Sequence, residues 1–200
     1  MSEHYFSQNP QSKSSPKKWN YRLRGENFMF ESDYGVFSKH QVDYGSRLLI
    51  EHFEKPAIAG NFLDLGCGYG PIGIAVAHSY KDRTVMLTDI NERAIALAEK
   101  NAYYNDVTNV EFALSDRFNH LKDRKFAAIL TNPPIRAGKR TVYQMFEDSR
   151  YALLKNGELW VVIQKKQGAP SAMDKLKDLF GNVKVIDRSK GYYVLAAKND

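Results

Sequence analysis

Cys67 is the sole cysteine of this chain, so neither a disulfide framework nor a thiolate metal cluster can be built within it. Histidine is nearly as sparse: His4, His40, His52, His78 and His120 fall at spacings that suit neither a zinc site nor a nucleophilic triad. No metal is expected. No apolar run is long enough to cross a bilayer, and the polar start reads as neither a signal nor a transit peptide. A cytoplasmic protein without a membrane partner is predicted. Carboxylates are scarce near the start, where Glu3 stands against Lys13, Lys17, Lys18, Arg22 and Arg24. The signs nearly balance further on, so most of the net charge of +6 belongs to one end. Such an end either follows phosphates or serves as a solubilising tail. The rest is ordinary globular usage, 43% hydrophobic and 26% charged over 200 residues, which allows one domain with a substantial core.

Against these absences stands Asn132-Pro133-Pro134-Ile135, directly after an apolar run, Phe126 to Leu130, that reads as a buried strand. An Asn side-chain carbonyl, with the carbonyl of a proline that has no N–H, presents two acceptors to one planar –NH2 group. Alkyl transfer to an exocyclic or amide nitrogen needs that arrangement, because positioning rather than a strong base lowers its barrier. A plain turn is the other reading of Asn-Pro. Residues 62 to 73 then give a short apolar strand, Phe62-Leu63-Asp64-Leu65, a turn with Gly66, Cys67, Gly68 and Gly70, and a helix-like stretch Ile72 to His78. Glycines at a strand-to-helix turn let a ligand approach the backbone closely. A dinucleotide fingerprint would need glycine where Pro71 stands. Asp64 suits a ligand with a positive amino group and repels a pyrophosphate. S-adenosylmethionine, with an ammonium and a sulfonium, fits that charge.

Thr84 to Thr88 reads as a strand ending in Asp89-Ile90, where an acid can accept from both ribose hydroxyls. Asn91 is placed as the N-cap of a helix carrying Ala94, Leu97 and Ala98. A third strand, Val110 to Leu114, leads to Asp116, an adenine-amine acceptor or a solvated loop acid. Residues 1–18 are expected to form a basic flexible segment, and 19–200 one domain opening with a hairpin over about 19–32 that turns at Gly25. Helices are predicted over Tyr44 to Phe53, Thr141 to Leu154 with Gly157 as its stop, and Met173 to Phe180. Strands are predicted over Leu159 to Ile163, Val183 to Ile186 and Tyr192 to Ala197, the last two as an antiparallel pair. The expected fold is α/β and Rossmann-like: a seven-stranded, mostly parallel sheet with a terminal antiparallel strand and helices on both faces. The glycine turn, Asp89, Asp116 and Asn132 all fall at strand carboxyl ends, where open α/β sheets bind ligands.

The order Asp64-Leu-Gly-Cys-Gly-Tyr-Gly, Asp89, Asp116, Asn132-Pro-Pro resembles class I S-adenosylmethionine-dependent methyltransferases. The opening His4-Tyr-Phe-Ser-Gln-Asn-Pro10, Gly35-Val-Phe-Ser38, Asp43-Tyr-Gly-Ser-Arg-Leu-Leu49 and Asn132 to Lys139 narrow it, over nearly the whole chain, to the family of ribosomal RNA small subunit methyltransferase C, in its short single-domain form. That resemblance implies transfer of a methyl group from S-adenosylmethionine to the N2 amine of a guanine in small-subunit (16S) rRNA, with rRNA or the 30S subunit as partner. It implies Asn132, Pro133 and Pro134 as catalytic residues. Asp64, Gly66, Cys67, Gly68, Gly70, Asp89, Ile90, Asp116 and Asn132 would hold the cofactor. Phe37, Ile135, Arg136, Lys139 and Arg140 would meet the substrate, the basic ones gripping phosphates beside a flipped-out nucleoside. Many members carry an aromatic residue where this chain has Ile135, so stacking on the base must come partly from elsewhere, with Phe37, Phe30 and Tyr34 as candidates. The competing readings are methylation of adenine in nucleic acid or of a protein glutamine, a catalytically silent RNA-binding assembly factor, and a nicotinamide-dependent dehydrogenase.

Overall fold

The computed structural model describes residues 13–38, 41–121 and 123–200. The His4 to Pro10 motif, His40 and the first twelve residues of the basic segment lie outside them. A hairpin of β1 (Lys17–Leu23) and β2 (Glu26–Ser32) comes first, followed by α1 (Tyr44–His52). The main sheet then builds through β3 (Phe62–Leu65), α2 (Pro71–Ser79), β4 (Val85–Asp89), α3 (Glu92–Tyr104), β5 (Val110–Leu114), β6 (Phe126–Thr131), α4 (Lys139–Ala152), β7 (Leu153–Gln164), α5 (Ala169–Phe180), β8 (Lys184–Ser189) and β9 (Tyr192–Lys198).

The seven strands run in the order β5-β4-β3-β6-β7-β9-β8, parallel except where β9 lies antiparallel to both β7 and β8. The chain winds outward from β3 toward β5, then restarts at β6 and winds the other way. Right-handed crossovers therefore put the two helix sets on opposite faces. One core joins the hairpin and α1, α2 and α3 to the sheet, and the other holds α4 and α5. The central strands β3 and β6 are buried along their whole length, as strands covered on both faces must be.

The hairpin is fastened by polar contacts. Arg24 Nη1 donates to the carbonyls of Ile50 and Phe53 at 2.8 and 2.7 Å, satisfying the free C-terminal carbonyls of α1. Lys18 pairs with Glu31 at 3.5 Å and stands over the Tyr104 ring. Arg24 and Lys18 therefore have partners within the fold, where the sequence suggested phosphates. Lys17 and Lys18 belong to β1, not to a flexible segment. A second correction concerns Gly157: α4 stops at Ala152 and the chain passes at once into β7. Gly157 lies inside that strand, where a Cβ would come within 2.9 to 3.1 Å of the Leu154, Ala127 and Phe126 carbonyls. Its role is close backbone approach.

Candidate active site

The chain reverses its winding between β3 and β6, and the carboxyl ends of β3, β4 and β6 open there onto a cavity of about 200 Å3. Open α/β sheets form crevices at this switch point because the flanking helices diverge to opposite faces. Gly66, Cys67 and Gly68 form its floor, Asp89 and Ile90 one side, Ser115 to Arg117 another, and Pro134, Ala137, Thr141 and Met145 the wall toward α4. Val36, Phe37 and Ser38 lie across the remaining side. Asn91 Nδ2 holds that segment by donating to the Gly35 carbonyl at 2.8 Å, and its Oδ1 caps α3 by accepting from Arg93 N and Ala94 N.

Gly66 and Gly68 have φ of +77° and +56°, a region costly for side chains, and a Cβ on either would project into open space. The turn therefore offers bare backbone to a ligand. Asp89 frames it: Oδ2 accepts from Gly68 N at 2.9 Å and Oδ1 from Asn91 N at 2.9 Å. Burial holds the Asp89 carboxyl above its usual range, although those amides pull it back. Burial likewise pushes the Cys67 thiol well up, with Asp89 and Asp64 adding to the effect. Cys67 is a small residue in the turn rather than a nucleophile.

Asn132 stands at the end of β6, where Thr131 Oγ1 donates to the Leu65 carbonyl at 2.8 Å and ties β6 to β3. Its Nδ2 lies 3.2 Å from Asp43 Oδ1, 3.4 Å from Asp43 Oδ2 and 3.1 Å from Ser46 Oγ. A carboxylate facing the amide fixes its orientation, because only the –NH2 end can donate. Oδ1 is left without a hydrogen bond among the described residues. Asp43 also caps α1, accepting from Ser46 N at 3.1 Å. Burial raises the Asp43 carboxyl, opposed by its Ser46, Gly45 and Asn132 donors. Sequence reasoning assigned Asp43 and Ser46 no site role; the signals that could have found them were an Asp-x-x-Ser cap at the start of α1 and the Asp43 to Leu49 motif itself.

Of the residues expected at the site, Gly66, Cys67, Gly68, Asp89, Ile90, Asp116, Asn132, Pro134 and Phe37 meet around the cavity. Asp64 does not. It is fully buried, with Oδ2 accepting from Gly73 N at 2.8 Å in the first turn of α2. Gly70 also points away: a Cβ there would strike Ile74 and Ala98, so its place is in helix packing. The Pro133 residue is buried within the loop. Ile135 and Lys139 line a neighbouring cleft of about 90 Å3, and Arg136 and Arg140 are exposed beside the loop. Phe30 is sealed in the core, whereas Phe37 is 44% exposed. Asp116 is exposed, with Arg117 Nε 3.3 Å from its Oδ1. Among the described residues no cluster of potential metal ligands occurs and no helix is long and apolar enough to cross a membrane.

The model of the methyltransferase small domain family matches residues 27–196. The chain belongs to that family, within the class I S-adenosylmethionine-dependent methyltransferases. It is 55% identical to the Bacillus subtilis protein YbxB over 199 residues, covering 99% of each. It is 29% identical to ribosomal RNA large subunit methyltransferase G of Klebsiella pneumoniae over 94% of this chain and 51% of that one. Among solved structures, the T. thermophilus 16S rRNA N2 methyltransferase RsmC, in complex with AdoMet and guanosine, superposes with a TM-score of 0.83 at 23% identity, over 96% of this chain and 52% of that one. The chain thus spans about half the length of these rRNA methyltransferases.

The family's cofactor can be tested against the residues present. The bare turn at Gly66 and Gly68 leaves room that a Cβ would fill, Asp89 is an acceptor at the end of β4, and an apolar wall faces them. The residues fit.

Proposed function

We propose that the protein methylates a planar exocyclic amine of ribosomal RNA, with the N2 amine of a guanine in small-subunit (16S) rRNA as the acceptor. The orientation of Asn132 carries this reading: with Nδ2 tied to Asp43 and Ser46, the side chain can only offer an acceptor to the substrate. S-adenosylmethionine supplies an electrophilic methyl on its sulfonium when bound. Gly66 and Gly68 would receive its methionine part and Asp89 its ribose hydroxyls, with Asp116 beside the adenine.

Asn132 Oδ1 and the Pro133 carbonyl would accept the two amine hydrogens. That aims the nitrogen lone pair at the methyl and removes the orientational part of the barrier. Two acceptors also stabilise the positive charge that grows on the nitrogen during transfer. The methylated amine is cationic and strongly acidic, so its proton leaves to solvent without a dedicated base. Arg136, Lys139 and Arg140 stand beside the loop with no ion pair to a described carboxylate, in keeping with phosphate partners.

A second reading keeps the chemistry and moves the acceptor to the large subunit, favoured by the names of relatives from Klebsiella pneumoniae and Streptomyces coelicolor. One experiment separates them: labelled methyl transfer to isolated small and large subunits, and to their free rRNA, from a host lacking the gene, followed by nucleoside analysis. N2-methylguanosine in small-subunit rRNA supports the first reading. Label confined to large-subunit rRNA moves the acceptor, label on adenine or a protein glutamine removes the guanine, and cofactor binding without transfer leaves only an RNA-binding protein.

A further inference from the structure

Beside the main cavity, the cleft of about 90 Å3 lies between the starts of α4 and α5, at the carboxyl ends of the neighbouring strands β6 and β7. The two spaces share a wall. Thr141 and Met145 of α4 face the main cavity, while Ile135, Val142 and Tyr143 face the cleft, whose far side is Ile163, Gln167 and Ser171. Its floor is aliphatic, one side is aromatic, and its rim carries an amide and a hydroxyl. That mixture suits a flat heteroaromatic ring with polar edges.

The charge on the two segments that form most of it is of one sign, and the one carboxylate nearby, Glu147, is paired with Lys175 over the Tyr143 ring. Segments 135–143 and 163–172 hold Arg136, Lys139, Arg140, Lys165 and Lys166 and contain no Asp or Glu. None of the five pairs with a described carboxylate, although other cations do so, Lys175 with Glu147 and Arg124 with Glu111 among them. Lys139 Nζ stands instead over the Tyr143 ring, 5.1 Å from its centroid. Five uncompensated cations around an apolar slot repel one another and favour a polyanion with planar groups over a peptide.

We propose that this cleft is a second nucleotide subsite, seating the base next to the modified one in a single-stranded RNA, with the five cations following the linking phosphates. The assignment rests on the main cavity's being the site of a nucleobase amine, because the shared wall then makes the two occupants neighbours in one strand. Gln167 offers both a donor and an acceptor to the seated base, so the subsite reads sequence context as well as adding affinity.

Three variants of the 200-residue chain test it, none altering a residue of the main cavity: Ser171→Leu fills the cleft, Gln167→Ala strips its rim, and Lys165→Ala with Lys166→Ala removes two cations. The probe is a fluorescein-labelled single-stranded RNA of about 12 nucleotides, within the span such surfaces cover. Its binding is followed by anisotropy beside S-adenosylmethionine affinity and methyl transfer to undermethylated rRNA. Ser171→Leu should weaken RNA binding at least about tenfold, the loss of one stacked base, with cofactor affinity unchanged. Gln167→Ala should weaken it a few-fold and alter the preference among bases. The double lysine variant should reduce the slope of log affinity against log salt by about 1.4, two single-strand phosphate contacts. Parental RNA affinity in both Ser171→Leu and Gln167→Ala overturns the subsite, as does a parent that binds an acidic peptide in preference to the RNA. RNA binding lost in these variants, with no rRNA methylated by the parent, keeps the cleft as a base-binding site on RNA and removes the transfer reading. Equal methylation by parent and filled variant does the reverse.

Discussion

Asn132 and Asp43, 89 residues apart, meet through the amide nitrogen of one and both carboxylate oxygens of the other, at 3.2 and 3.4 Å. Asp43 therefore decides which end of the amide the substrate meets. Asn132→Ala should lower the rate of methyl transfer about 10²- to 10³-fold, the size of effect seen when one preorganised polar group facing the developing charge is lost. Cofactor affinity should stay near the parent's. Asp43→Ala should lower kcat about tenfold or more by freeing the amide to rotate, and should lose about 1 kcal/mol of stability with the α1 cap. Asp43→Asn, which can still accept from Nδ2, should recover part of the rate. Single-turnover kinetics at saturating cofactor give the comparison, and an Asn132→Ala protein turning over within a few-fold of the parent would remove Asn132 from the mechanism.

Asp89 accepts from Gly68 N and Asn91 N, so it shapes the glycine turn and also offers acceptor capacity to a ribose diol. Asp89→Ala should raise the dissociation constant of S-adenosylmethionine about 10- to 100-fold, the effect of losing one or two hydrogen bonds to a charged group. Titration calorimetry reads this directly, and unchanged affinity would place the cofactor elsewhere.

The glycine turn, Asp89, Asn91 and Asn132 were legible because each follows an apolar run short enough to be a buried strand, and strand ends converge on one sheet edge. Asp64 does not line the cavity, although its place in the motif suggested proximity to the ligand. In a strand, however, alternate residues face opposite sides, and Asp64 shares the α2 side with Phe62 while Leu63 and Leu65 face the other core. Asp43 stood out only as part of the Asp43 to Leu49 motif; its contact with Asn132 depends on how the start of α1 meets the loop after β6. The end of α4 was missed because no breaker separates Ala152 from Leu153, and Gly157 was the nearest residue that looked like one.

Asn101 is fully buried and joins three elements. Its Nδ2 donates to the Glu31 carbonyl at 2.9 Å and the Tyr69 carbonyl at 2.8 Å, while its Oδ1 accepts from Glu31 N at 2.7 Å. The hairpin, α3 and the glycine turn are thus coupled through one side chain. Asn101→Ala leaves three backbone groups without their partner and should destabilise the protein by about 2–4 kcal/mol. Urea denaturation measures it. A loss below about 0.5 kcal/mol, ordinary for a surface change, would show that Asn101 does not couple these elements.

Asp64 should make the cofactor-free protein less stable as pH rises. Its side chain is fully buried, Oδ2 accepts from Gly73 N, and Oδ1 has no hydrogen bond among the described residues. Burial raises its pKa from 3.8 to about 7; the Gly73 N–H opposes this and the Asp89 charge adds to it. The folded state then holds the proton more tightly than the unfolded chain. The stabilisation is complete below the unfolded value of 3.8 and is lost as pH rises through about 7. The full span is at most about 4 kcal/mol, at 1.36 kcal/mol per unit. Asp43 and Asp89, also raised by burial, slope the same way. Asp64→Asn keeps an acceptor for Gly73 N and does not titrate, so it should flatten the decline in this window while leaving the share of Asp43 and Asp89. Urea unfolding at a series of pH values gives both slopes, and a variant as steep as the parent would show that Asp64 is ionised in the folded protein throughout.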